Sequence, residues 1–209
     1  MTKADVEKER INNMYEYERS YYAEEITLIA GVDEVGRGPL AGPVVAAAVI
    51  LPQSCEILYL NDSKKLSEKR REKLFSEITE KAVSIGLGIV DAEEIDEINI
   101  DKATQKAMLI AVSALNITPE VVLIDGNRPP DTGFRQESII SGDAKSMSIA
   151  AASVIAKVTR DRMMCEYDDE FSGYNFSKHK GYGTAAHYAA IEEHGISPIH
   201  RRSFLKKIK

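Results

Sequence analysis

Asp33 and Glu34 stand side by side after an apolar lead-in, Ile26-Thr-Leu-Ile-Ala30, and are followed at once by the turn Gly36-Arg37-Gly38. A second apolar run, Val44 to Leu51, comes next. Carboxylate oxygens are hard ligands, and an oxygen-only donor set suits Mg²⁺ or Mn²⁺. Glycines on either side of an arginine leave backbone N–H groups open to a sugar or a phosphate, with a cation between them. Together these features point to a metal-dependent enzyme acting on a phosphodiester. The same Asp-Glu pair also reads as an ordinary solvated strand end, as short motifs often do. Geometry adds a condition, because successive side chains on a regular strand point to opposite faces. Asp33 and Glu34 can meet at one ion only if the chain bends there or the longer Glu34 reaches round.

The elements that must position these groups follow from periodicity. Residues 4–24 read as a polar, tyrosine-bearing helix laid against the domain, with Val6, Ile11, Met14 and Tyr21 at loose helical spacing. The runs 26–33 and 43–51 read as consecutive strands. Leu66-Ser67 opens a helix whose apolar positions Leu74, Phe75, Ile78 and Ala82 keep a 3.6-residue period. Residues 83–90 read as a strand, and the chain from about Ile95 to Leu115 as helical in one or two pieces. Pro119 to Gly126 reads as a buried strand ending in Asp125, and a short strand near 136–140 leads to Gly142-Asp143. Ser146 or Ser148 is placed to cap a long helix running to about Glu170. Strands followed by alternating strands and helices imply an α/β fold, a mixed sheet with helices on its faces. In such sheets ligands collect beyond strand ends, where Asp33-Glu34, Asp125 and Asp143 all fall and where they can converge on one metal site.

Composition restricts the function classes. The 209 residues fit one domain, or one domain with an appendage, and 44% hydrophobic with 29% charged content describes a globular chain with a sizeable core. No run of about 18 apolar residues is present to span a membrane. The first 26 residues are charged throughout and lack the apolar stretch of a signal peptide. Cys55 and Cys165 are too few for a disulfide framework and do not cluster with histidine as a zinc site would, so a reducing, cytoplasmic setting is expected. The net charge of −6 argues against a nucleic-acid partner until its distribution is considered. Base gathers at Lys64-Lys65, Lys69-Arg70-Arg71, Lys178-His179-Lys180 and the tail from Arg201 to Lys209, enough to hold a few phosphates on an acidic molecule, although each patch alone also reads as a solvated face.

Five segments carry a resemblance. Asp33-Glu-Val-Gly-Arg-Gly38, Asn61-Asp-Ser-Lys-Lys-Leu66, Leu123-Ile-Asp-Gly-Asn127, Gly142-Asp143 with Ser148 to Asp161, and His179-Lys-Gly-Tyr-Gly-Thr184 together resemble bacterial ribonuclease HII, in that family's order, from about residue 28 to 205. The resemblance implies a ribonuclease H-like fold, with a mixed five-stranded sheet flanked by helices and a helical C-terminal part. Residues 1–26 form a helical extension outside it, and 27–209 the catalytic domain. It further implies cleavage of RNA in RNA–DNA hybrids and 5′ of single ribonucleotides in duplex DNA, leaving 3′-hydroxyl and 5′-phosphate ends. Asp33, Glu34, Asp125 and Asp143 match the family's metal-binding acids, expected to hold two Mg²⁺ or Mn²⁺ ions when substrate is bound. Gly36, Arg37 and Gly38 match its ribose-sensing turn, and Tyr182 its tyrosine beside the ribonucleotide; without the surrounding motif, Tyr182 reads as a packed aromatic.

Other candidates rest on the residues alone. Lys64 and Lys65 precede a helix start, where N–H groups favour a phosphate and Ser63 adds a hydroxyl. Asp161, between Arg160 and Arg162, reads as a structural ion-pair partner rather than a catalytic acid. Lys145 faces either substrate or water. His179, His187, His194 and His200 follow no metal-ligand spacing and read as structural or surface residues, with His179 possible near nucleic acid. Competing functions are a ribonuclease HIII-like hybrid nuclease, an inactive hybrid-binding module, and a Mg²⁺-dependent phosphotransferase, for which no Walker loop is present. Nucleic acid is the expected partner, and nothing demands more than a monomer.

Overall fold

The computed structural model describes residues 2–53 and 55–205. Its centre is a five-stranded sheet of order β3-β2-β1-β4-β5, formed by β1 (Ile29–Val35), β2 (Val44–Ile50), β3 (Ser84–Val90), β4 (Val121–Asp125) and β5 (Arg135–Ile139). β1, β2 and β3 form an antiparallel meander, whereas β4 runs parallel to β1 and β5 parallel to β4. The helices are α1 (Lys3–Asn13), α2 (Glu16–Tyr22), α3 (Glu68–Lys81), α4 (Ala92–Ile98), α5 (Ile100–Ser113), α6 (Met147–Glu170), α7 (Phe176–His179) and α8 (Ala185–His194). The sheet is mixed and flanked by helices, with a helical C-terminal part, as the sequence predicts.

β2 shows why the sheet needs cover on both faces. All its residues from Val44 to Ile50 are buried, and they divide by strand alternation. Val45, Ala47 and Val49 join a core with Ala150, Ala151, Val154 and Ile155 of α6, while Val44, Ala46 and Ala48 join one with Ala103, Ala107 and Ala111 of α5. Small residues on both helices bring them close to the sheet. At Gly31 of β1 a Cβ would overlap the Ser148 and Ile149 backbone, so glycine is what allows α6 to start directly on the strand.

The N-terminal segment is where the sequence reading needs correction. Residues 4–24 form two helices, broken at Met14-Tyr15. The Met14 carbonyl accepts the Met147 N–H at 3.1 Å, a bond across to α6. Ile11, Met14 and Tyr15 are buried in the α6 core, and Tyr15 donates to the Cys55 carbonyl. Tertiary bonding at the break thus replaces a continuous helix. The stretch 95–115 also divides, at Asn99 (φ 69°), and its first helix begins earlier, at Ala92, capped by Asp91. Ser67 and Ser146 cap α3 and α6. No helix among the described residues is long and apolar enough to cross a membrane. Of the basic tail, Lys206, Lys207 and Lys209 lie outside the described residues.

Candidate active site

The parallel pairing of β1 with β4 sets the site. Val32 lies opposite Ile124, so the next residue on each strand, Asp33 and Asp125, emerges at the same end of neighbouring strands. Asp33 is only 6% exposed; the Glu34 N–H donates to its Oδ1 at 2.8 Å. Asp125 Oδ1 accepts the Gly142 N–H at 2.6 Å, which ties β4 to the short 3₁₀ turn Gly142–Ala144 carrying Asp143. Glu34 leaves a strand that ends one residue later and remains within electrostatic reach of both Asp33 and Asp125.

The carboxylates feel one another. Burial, then the charges of Glu34 and Asp125, hold Asp33 well above the usual aspartate range. Burial chiefly raises Glu34, Arg37 partly opposing it and Asp125 adding to it. Burial, with Asp62 and Asp125, pushes Asp143 up to about 6. Lys64 is raised although burial alone would lower it, because Asp33, Asp62, Asp143 and Glu34 surround it. Its ammonium is therefore a counter-charge to the acids. Among the described residues no three His, Cys, Asp or Glu side chains close into a set able to hold a metal ion as they stand. The four acids share a field rather than a coordination shell. Their all-oxygen donors and surplus negative charge nevertheless suit a hard divalent cation.

The turn after β1 is held from behind by two fully buried arginines, Arg160 and Arg201. Arg201 donates through Nε and Nη2 to the Gly42 carbonyl, through Nη1 to Arg37 and through Nη2 to Gly36, at 2.6–3.0 Å. Arg160 donates to the carbonyls of Pro43, Ala41 and Lys180 at 2.9–3.0 Å. Burial lowers Arg160 to about 10 and Arg201 to about 9, so both stay cationic at neutral pH. Gly36 has φ +94°, and a Cβ there would overlap the Arg160 side chain. A Cβ on Gly38 would stand 3.8 Å from the Tyr182 ring, which is 42% exposed, so tyrosine and turn form one surface. The Arg37 guanidinium bonds Asp101 at 2.5 Å and Thr104 at 3.0 Å and props the turn.

A histidine chain supports the Tyr182 loop. His200 Nδ1 accepts the Ser197 N–H at 2.9 Å, which leaves its Nε2–H to donate to His187 Nε2 at 3.0 Å. His187 then donates from Nδ1–H to the Tyr182 carbonyl at 3.0 Å. Both rings must be neutral, and burial lowers both, His200 to about 4. A depressed histidine contributes stability that is present above its unfolded value near 6.5 and is lost as pH falls through about 4. Thermal melts are expected to show a loss of up to about 3 kcal/mol across that window that His200→Asn flattens; an unchanged slope in the variant would exclude the pair as its source.

Other candidates are placed differently. Ser63, expected to offer a phosphate its hydroxyl, is 3% exposed and accepts a hydrogen bond from Ser153 at 3.0 Å; it ties its loop to α6. Lys65 is exposed and only loosely beside Asp62, at 3.9 Å. Lys145 donates to the Ile140 carbonyl at 2.8 Å. Asp161 is an ion-pair partner, though of Lys157 (2.7 Å) and Arg71 (3.7 Å) rather than of its neighbours. The sequence reading missed Arg160 and Arg201. For Arg160 a signal exists: it lies four residues from both Ala156 and Met164, on the buried stripe of α6. Arg201 has no such local sign.

A family model described as Ribonuclease HII matches residues 30–207. The chain is 55% identical over 206 residues to a ribonuclease HII of Lachnoclostridium phytofermentans, covering 99% of this chain and 80% of that protein. It is 56% identical over 204 residues to one from Acetivibrio thermocellus, covering 98% and 80%. The crystal structure of ribonuclease H2 from Pyrococcus horikoshii superimposes with a TM-score of 0.73 at 27% identity, over 86% of this chain and 96% of that one. A ribonuclease H-like sheet ending in clustered carboxylates, matched over nearly its whole length, places this chain in the ribonuclease HII family of metal-dependent endoribonucleases.

Proposed function

We propose that this chain hydrolyses the RNA strand of RNA–DNA hybrids and cuts duplex DNA on the 5′ side of a single embedded ribonucleotide, leaving 3′-hydroxyl and 5′-phosphate ends. The observation that carries the reading is the junction of two surfaces: carboxylates Asp33, Glu34 and Asp125 at adjoining strand ends with Asp143 on the turn bonded to Asp125, and the Gly36–Gly38 turn with Tyr182 beside it. Backbone amides of the turn suit a ribose 2′-hydroxyl, which both donates and accepts hydrogen bonds and marks RNA against DNA. The buried arginines keep that turn from yielding, so discrimination is built before substrate arrives. The Tyr182 ring stacks on the adjacent sugar, with its hydroxyl bonded to the 2′-oxygen. Lys64 supplies positive charge where the scissile phosphate meets the acids.

Asp33, Glu34, Asp125 and Asp143 are the residues that would hold Mg²⁺ or Mn²⁺. A pair of such ions held there would make the attacking water more acidic and offset charge on the attacking and leaving oxygens. The acids' own work is to bind and orient, and ionising them fully favours alkaline pH, since burial and repulsion hold Asp143 at about 6.

The test is a labelled DNA duplex with one ribonucleotide, incubated with Mg²⁺, Mn²⁺ or EDTA beside an all-DNA duplex, the cut mapped to the nucleotide. A metal-dependent cut immediately 5′ of the ribonucleotide is expected. Tyr182→Phe should lower that cleavage about tenfold, the loss of one hydrogen bond, with little change in melting temperature. Cleavage confined to long RNA tracts would favour the ribonuclease HIII-like reading, and no cleavage of either substrate the binding module.

A further inference from the structure

We infer that Glu18, in the N-terminal helix pair, is a positioning residue that seats the segment bearing Asp143. The inference rests on the reading of Asp143 as an active-site carboxylate. Glu18 has no exposed surface, and its Oε2 has no hydrogen-bond partner among the described residues. Burying a carboxylate in this way is costly unless it satisfies something else. What it satisfies is the start of α6. Glu18 Oε1 accepts the Ser146 hydroxyl at 2.6 Å and the Ser148 N–H at 2.9 Å. Ser146 Oγ in turn accepts the Ile149 N–H at 3.2 Å, and the Met147 N–H goes to the Met14 carbonyl at 3.1 Å. Of the opening N–H groups of α6, those of Met147 and Ser148 are thus taken by the N-terminal segment and that of Ile149 by Ser146, with a carboxyl group at the helix end the macrodipole favours.

That end of α6 is joined to the acids on both sides. Upstream, the Lys145 and Ser146 N–H groups donate to the Gly142 carbonyl at 2.9 and 2.8 Å, and Gly142 itself donates to Asp125, with Asp143 between. Against the sheet, Ser148 and Ile149 press on Gly31, two residues before Asp33. A displaced α6 start therefore moves Asp143 relative to Asp125 and Asp33. Small misplacements of reacting groups cost up to about 10²-fold in rate.

Full-length Glu18→Ala, Glu18→Gln, Ser146→Ala and Asp143→Asn would be compared with wild type on an RNA–DNA hybrid. Amide hydrogen exchange of the metal-free proteins would be followed alongside. Glu18→Ala is expected to lower kcat about 10- to 100-fold with KM within about threefold, and to speed exchange at residues 142–149 while β3 and α8 stay unchanged. Glu18→Gln, which keeps the Oε1 acceptor, should restore most of both. Should Glu18→Ala fail to fold, Ser146→Ala carries the test with a smaller loss of the same kind. Folded variants with wild-type kcat and wild-type exchange at 142–149 would overturn the inference, as would a global rise in exchange with kcat intact. If Asp143→Asn cleaves like wild type, the site reading fails. Glu18 is then judged on exchange alone: acceleration confined to 142–149 supports it, and none overturns it.

Discussion

Asp125→Asn, and likewise Asp33→Asn, is expected to lower cleavage at least about 10³-fold, equivalent to about 4 kcal/mol of transition-state stabilisation. The same substitution should raise, not lower, the stability of the metal-free protein above pH 6. Asp125 is among the charges that hold Asp33 and Asp143 up. A carboxyl group with a raised folded pKa contributes stability that is present below its unfolded value near 3.8 and is lost as pH rises, here through about 6 for Asp143. Removing Asp125 relieves part of that loss. Wild type should therefore melt lower at pH 8 than at pH 5 from this source and recover on addition of Mg²⁺ or Mn²⁺. Asp125→Asn should show a shallower pH slope and a much smaller metal response. Melting curves with and without metal at the two pH values, together with single-turnover cleavage, measure all three effects. A variant that retains full metal stabilisation, or a wild type that ignores metal, would argue against a shared cation site.

Arg201→Met should cost about 3–5 kcal/mol and lower the melting temperature by about 10 °C. Methionine can fill much of the volume but offers no donor, so the carbonyls of Gly36, Arg37 and Gly42 lose the guanidinium that satisfies them. Each buried carbonyl left unpaired costs about 1–3 kcal/mol. Arg201→Lys should recover part of the loss, because an ammonium is cationic but lacks the planar fork that reaches several carbonyls at once. The contrast is Arg162→Met: Arg162 is exposed and pairs with Glu72, so its loss should lie within about 1 kcal/mol. Cleavage at a single ribonucleotide should fall in Arg201→Met even at temperatures where it is folded, because that guanidinium holds the Gly36–Gly38 turn we propose reads the ribose. Melting within about 2 °C of wild type would show that the turn keeps its shape without the arginine.

Glu18 gives the N-terminal helices a part in the site that their sequence conceals. Their core contribution, from Ile11, Met14 and Tyr15, is ordinary amphipathic packing. A glutamate among seven polar or aromatic residues in Glu16–Tyr22 reads as solvated, and only the fold removes it from water.

What the sequence by itself determined is whatever short-range physics controls. The unbroken apolar run along 43–51 marked a strand, Ser67 and the choice of Ser146 or Ser148 marked the helix starts that Ser67 and Ser146 cap, and the apolar runs ending in Asp33 and Asp125 put carboxylates at strand ends. These signals act over a few residues, so they survive without knowledge of the fold. What only the tertiary structure decided is where charge is withdrawn from water. Arg160 and Arg201 reach carbonyls more than a hundred residues earlier in the chain, Glu18 reaches Ser146 and Ser148, and His187 meets His200. Ser63 turns inward to Ser153, and Asp161 selects Lys157 and Arg71 over the arginines beside it. Desolvation and its compensating hydrogen bonds depend on which segments pack together, and charged side chains carry the same local signature whether they end in solvent or in the core.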